Sequence, residues 1–164
     1  MYKLNQGDYL LAALQKIFQQ PNIKSEQRTL NNELMLLCGI MMEAASIDGI
    51  VDKNEILKIK TSLVTIFHEK SEEVNKAISS CLEQTNEPNS LHFFTSKINK
   101  SFDNNKKIVL IETLWEIILV DKKIHDFESN FIRRLAGLMY ISDVSCGKAK
   151  RRIVTKLEKI ENNL

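Results

Sequence analysis

Two stretches of this chain are apolar on every side at helical length: LMLLCGIMMEAA, residues 34–45, and KKIVLIETLWEIILV, residues 106–120. A helix with no polar face must be covered all round, so in a water-soluble chain it lies in the middle of other helices. Two such helices in one short chain therefore demand a bundle that packs them together and wraps the pair. At 164 residues the chain can do this, because a domain near that size buries roughly 70% of the surface its unfolded chain exposes. Five glycines and two prolines are too few for a turn-rich all-β chain, and no apolar–polar alternation of period two is sustained. Glu43, Glu112 and Glu116 interrupt the apolar runs, which stay short of the ~18 residues a membrane span needs.

The remaining segments supply the wrapping. Leu10, Leu11, Leu14, Ile17 and Phe18 share one helical face, and Pro21 ends that first helix. Ser25 is placed to cap the second, which runs to Ala45 or Ser46. A third carries Ile56, Ile59, Leu63, Ile66 and Phe67. Ser71 is expected to cap a fourth, with Val74, Ile78 and Leu82 facing inward. TNEPN breaks the chain, since Pro88 disfavours helix at the residue before it. Asn89 or Ser90 opens a fifth helix, and Asp103 or Asn104 caps the sixth, the second all-apolar element. Phe127, Phe131, Ile132, Leu135 and Leu138 mark a seventh. Ser142 caps an eighth, where Val144, Ile153, Val154, Leu157 and Ile160 alternate with basic residues.

The net charge of +2 selects no partner by global field. Cys38, Cys81 and Cys146 are odd in number, far apart and free of any Cys-x-x-Cys pairing, which points to reduced thiols in a cytosolic chain rather than a disulfide framework or zinc site. MYKLNQGDYLLAALQKIF has neither a long apolar core nor a small-residue cleavage site, so it does not read as a signal peptide.

Shifted by 73 residues, the chain lies over itself: EAASIDGIVDKNEILKI falls on EIILVDKKIHDFESNFI. Glu43 meets Glu116, Asp48 meets Asp121, Val51 meets Ile124, Glu55 meets Glu128 and Ile59 meets Ile132. Each copy reads as a buried helix, a short loop with an acidic start and an amphipathic helix, which together give a pseudo-symmetric bundle. A repeated core explains the matched apolar residues. It does not explain the matched acids.

These residues resemble the TerB-like domain of tellurite-resistance proteins. The resemblance is carried by Ser46 to Val51 through Glu55, then by Leu114-Trp115 leading to Asp121 and Glu128, and by Phe131 to Leu135. GLMYISDVS resembles the family's short connection into its terminal helix. The likeness covers roughly residues 30 to 145, and Lys122 stands where the family usually has Gly. It implies an all-helical fold of about seven to nine helices, exposed acids with a metal-binding role, and work in stress or tellurite-related assemblies near the membrane. It implies no enzymatic activity.

The acidic loop SIDGIVDKNEI has the outline of a calcium loop and fails as one. With Gly49 sixth and Glu55 twelfth, the first ligand position falls on Ala44 and the third on Ser46; the second copy has Ile117, Leu119 and Lys122 in the first, third and sixth places. Asp52-Lys53-Asn54-Glu55 is instead a capping-box pattern, and Gly49 suits the positive φ that ends the preceding helix. His125 or Asp126 is expected to cap the later helix. Asp48 and Asp121 each close a helix, where the macrodipole disfavours negative charge by a few tenths to about 1 kcal/mol. That leaves a basic partner or a divalent cation as their reason. Asp48, Asp52, Glu55, Asp121 and Glu128 form the candidate metal set. A zinc pair of His125 with Glu128 lacks a second His or Cys. His68 and His92 stand alone, and Trp115 with Met41-Met42 reads as core.

The last helix presents Lys148, Lys150, Arg151, Arg152, Lys156 and Lys159 against Glu158 and Glu161, with Arg133 and Arg134 as candidates for the same surface. Such a stripe meets an acidic protein, anionic lipid or nucleic-acid phosphate, or is a solvated face. No aromatic residues interleave, which weakens single-strand stacking. The sequence thus supports an all-α chain in one compact domain, with residues 1–24 as an N-terminal helix and 25–164 as the TerB-like bundle. It reads as a cytoplasmic, non-enzymatic binding or scaffolding module with a protein partner and a peripheral membrane surface as candidates. The rival is a small metal-dependent helical enzyme using the same carboxylates.

Overall fold

The computed structural model describes residues 25–47, 49, 51–83, 91–120, 123 and 125–163. The expected N-terminal helix over Leu10 to Phe18 and the break at Pro88 lie outside them. Among the described residues there are seven helices and no strand: α1 (Ser25–Ala45), α2 (Lys53–Thr65), α3 (Ser71–Glu83), α4 (Leu91–Ser101), α5 (Asn104–Ile118), α6 (Asp126–Leu138) and α7 (Asp143–Glu161).

The two all-apolar helices, α1 and α5, pack against each other at the centre. From Leu34 to Met42 the described apolar side chains of α1 are buried, and α5 buries nine side chains, Trp115 among them. Each buried Leu or Ile contributes about 1.5–3 kcal/mol, so this pair is the principal source of stability. The repeat extends further than a helix–loop–helix. α1 packs on α2 and α3, and α2 on α3; correspondingly, α5 packs on α6 and α7, and α6 on α7. The two three-helix units meet through α1 with α5, α1 with α6, and α2 with α5, while α4 packs on α6. Glu33 and Lys106, which the 73-residue shift superposes, form an ion pair. Equivalent residues touch only near a pseudo-twofold axis, so that pair marks its position.

Local chemistry fixes the helix ends. Asp52, in extended conformation (φ −73°, ψ 151°), accepts from the Asn54 N–H at 2.8 Å, and its own N–H donates to Glu55 Oε2 at 2.8 Å. Asp103 accepts from the Lys106 N–H at 2.7 Å, and Ser142 Oγ from the Ser145 N–H at 3.1 Å. Gly49 has φ +97°, as the turn requires. α6 ends in a Schellman turn, with Ile141 N–H donating to Ala136 O and Tyr140 N–H to Gly137 O. Tyr140 occupies the left-handed position there, at φ 60°. Two side chains complete that helix end: Asn99 Nδ2 donates to Leu138 O at 2.9 Å, and buried Lys107 Nζ to Met139 O at 3.2 Å.

Three expectations need correction. Lys70, not Ser71, caps α3, because its carbonyl accepts from the Val74 N–H and Ser71 is already helical. Leu82 is 53% exposed; the stripe through Val74, Ala77 and Ile78 continues to Cys81, one helical step round. Phe127, at the second residue of α6, is 78% exposed and takes no part in the core face of Ile132 and Leu135.

Candidate binding surface

α7 lies along α5, with Cys146, Ala149 and Ile153 as its buried seam. Beside that seam, α5 carries Glu112 and Glu116 one turn apart, and α7 carries Arg152 and Lys156 at the same spacing. They close as two rungs. Arg152 Nε donates to Glu112 Oε1 at 2.5 Å, and Lys156 Nζ to Glu116 Oε1 at 2.5 Å. The second rung is shared by a third helix, because Lys58 of α2 reaches Glu116 Oε2 at 2.6 Å. Glu116 is only 5% exposed. Burial pushes its carboxyl up, but hydrogen bonds and charge from Lys156 and Lys58 outweigh this and hold it below the ordinary glutamate value. Lys150 Nζ sits 4.7 Å from the centre of the Trp115 ring, a cation–π contact on the same helix pair.

The predicted basic stripe therefore divides. Arg152, Lys156 and Lys150 are engaged by α5. Lys148, Arg151 and Lys159 are exposed and have no ion-pair partner among the described residues. Together with Arg152, Thr155, Lys156 and Ile160 they line an open depression of about 740 Å3. These positions recur at three- and four-residue spacing, so they occupy one continuous face. Arg133 approaches Asp143, at the start of α7, at 3.9 Å, and Arg134 is exposed on α6. The rungs escaped the sequence reading. Their signal was present in two acids at i, i+4 on an apolar helix, matched by two bases at i, i+4 forty residues on.

The acidic loops are placed in part. Asp52 and Glu55 are joined in the capping box of α2. Glu128, 3% exposed, accepts from the N–H of His125, the cap residue of α6, at 3.4 Å. Asp48 and Asp121 lie outside the described residues. Among the described residues no group of three or more His, Cys, Asp or Glu side chains is disposed to hold a metal ion, and no helix is long and apolar enough to cross a membrane.

Comparison with known proteins agrees with the fold. A family model described as "Tellurite resistance protein TerB" matches residues 34–151, from the first buried turn of α1 to the middle of α7. No curated protein and no solved structure matches the chain at a significant level.

Proposed function

Because the chain belongs to the TerB tellurite-resistance family, we propose that it is a non-enzymatic binding module that engages an acidic protein partner through the basic face of α7. The observation that carries this is the depression on α7, where Lys148, Arg151 and Lys159 offer charge that α5 has not neutralised. Lys148 to Lys159 spans three turns, about 16 Å, a length suited to one helix or loop of a partner. Ile160, 51% exposed, and the aliphatic stems of the lysines give that partner apolar contact beside the charges.

Duplex DNA suits this surface less well. Three uncommitted cations release few counterions, and affinity falls off accordingly. A bilayer suits it less too, since a helix lying in the interface needs an outward apolar face, and α7 turns its apolar face to α5. Asp52, Glu55 and Glu128 are engaged at helix starts, which supports binding rather than catalysis. The family description supports a place for this module among tellurite-resistance components.

The test is fluorescence anisotropy with a glutamate-rich helical peptide, alongside duplex DNA and phosphatidylserine vesicles. The peptide binds, salt weakens it, and Lys148→Glu with Arg151→Glu reduces affinity at least tenfold while the Tm stays put. Binding to DNA or vesicles but not to the peptide would discard the acidic-protein reading.

A further inference from the structure

Two thiols face each other where α3 closes on α1. Cys38 is fully buried in the middle of α1, Cys81 is 4% exposed in the last turn of α3, and their Sγ atoms are 3.7 Å apart. A disulfide needs about 2.0 Å, so the two sulfurs must close by about 1.7 Å to bond. The internal repeat supplies a comparison within the same molecule. The 73-residue shift puts Ile111 of α5 over Cys38; the connection before α7 is one residue shorter than that before α3, so the buried seams align Ile153 of α7 with Cys81. Ile111 and Ile153 are both buried. An aliphatic pair thus fills this position in the second unit, and packing alone does not call for two sulfurs in the first.

We propose that Cys38 and Cys81 are an oxidant-operated latch, which a hydroperoxide closes into a disulfide bonding α3 to the central helix α1. Cys81 reacts first, since it lies two residues from the end of α3 and fraying of that last turn exposes it. Its thiolate attacks the outer oxygen of the hydroperoxide, the O–O bond breaks, and the alcohol leaves with a proton, giving a sulfenic acid on Cys81. The Cys38 thiolate then attacks that sulfur, and the hydroxyl departs as water with the second proton. The dithiol loses two electrons and two protons, and the hydroperoxide becomes alcohol and water. The hydrogen bond with Cys81 and burial both push the Cys38 thiol up, so Cys38 stays protonated and quiet until α3 opens. A dithiol reductant reverses the bond.

The bridge joins residues 43 apart, a separation at which cross-linking raises the Tm on the order of 5 °C or more. The experiment treats the folded, reduced protein with hydrogen peroxide and reads intact mass, a non-reducing peptide map and Tm. The parent loses two hydrogen atoms, yields a Cys38–Cys81 peptide, melts higher and reverts with dithiothreitol; Cys146→Ala behaves alike. Cys38→Ile with Cys81→Ile copies the second unit, folds, and shows no response. Oxygen adducts without loss of hydrogen, a link between molecules, or a Cys38–Cys81 bond formed only in denaturant would overturn the latch. The parent decides this by itself should the double variant fold poorly.

Discussion

Glu116 is the residue on which the most depends. A carboxylate this buried is tolerated because Lys58 and Lys156 both reach it, and removing the charge leaves two ammonium groups facing an apolar helix. Glu116→Gln is expected to cost about 2 kcal/mol in urea denaturation, below the 3–5 kcal/mol of a fully buried pair because both lysines are partly exposed. An unchanged midpoint would show that the rungs contribute nothing. Its carboxyl is held low in the folded chain, so the stabilisation is complete above the unfolded glutamate value of about 4.3. It disappears as pH falls through the lower folded value. Glu116→Gln flattens that acid limb. In the sequence Glu116 appeared as an interruption of an apolar run and as the repeat's match to Glu43, but its partner stayed hidden, since an ion pair 40 residues distant has no local periodicity to reveal it. Asp52, by contrast, was legible, because its partners Asn54 and Glu55 lie within one turn. Asp52→Ala is expected to lower stability by about 1 kcal/mol.

At the scale of elements, the α1–α2 junction and α7 make different demands. A methyl group at Gly49 would meet open space, yet the φ of +97° there lies where L-residues are strained, so Gly49→Ala should cost about 1–2 kcal/mol; equal melting curves would contradict this. α7 carries two sets of cations with separable roles. Arg152→Gln with Lys156→Gln should lower the Tm, while Lys148→Gln with Arg151→Gln should leave it unchanged and weaken only partner binding. If both pairs shift the Tm alike, the division between them is lost. Among the described residues the helices were readable from 3.6-residue spacing and, Ser71 excepted, from cap chemistry. The misplacements, at Leu82 and Phe127, fall in a last and a first turn, where an apolar residue can satisfy the spacing and still lie beyond the reach of a neighbouring helix.

Among the described residues two three-helix units, with α4 packed on the second, share one core, and neither has a complete one alone. Fragments 25–83 and 91–163 are each expected to be largely unfolded by circular dichroism, and to recover helicity when mixed, because α1 and α5 cover one another. A fragment that folds cooperatively by itself would mean that the units are independent. The repeat was visible in the sequence as a two-helix motif; its third member was not, since α3 and α7 share little beyond their apolar spacing, and only the packing of each on its unit's central helix aligns them.

The Glu33–Lys106 pair also biases how halves of this chain would associate. Because the two positions are equivalent, a first half meeting a copy of itself would set glutamate against glutamate at the axis, and a second half would set lysine against lysine. Like charges at that distance repel by about 1 kcal/mol even in water, whereas the mixed arrangement attracts. The chain thus carries a small charge polarity where its halves meet, worth up to about 1 kcal/mol at these partly exposed positions: it favours exchanged halves between two molecules over self-matched ones.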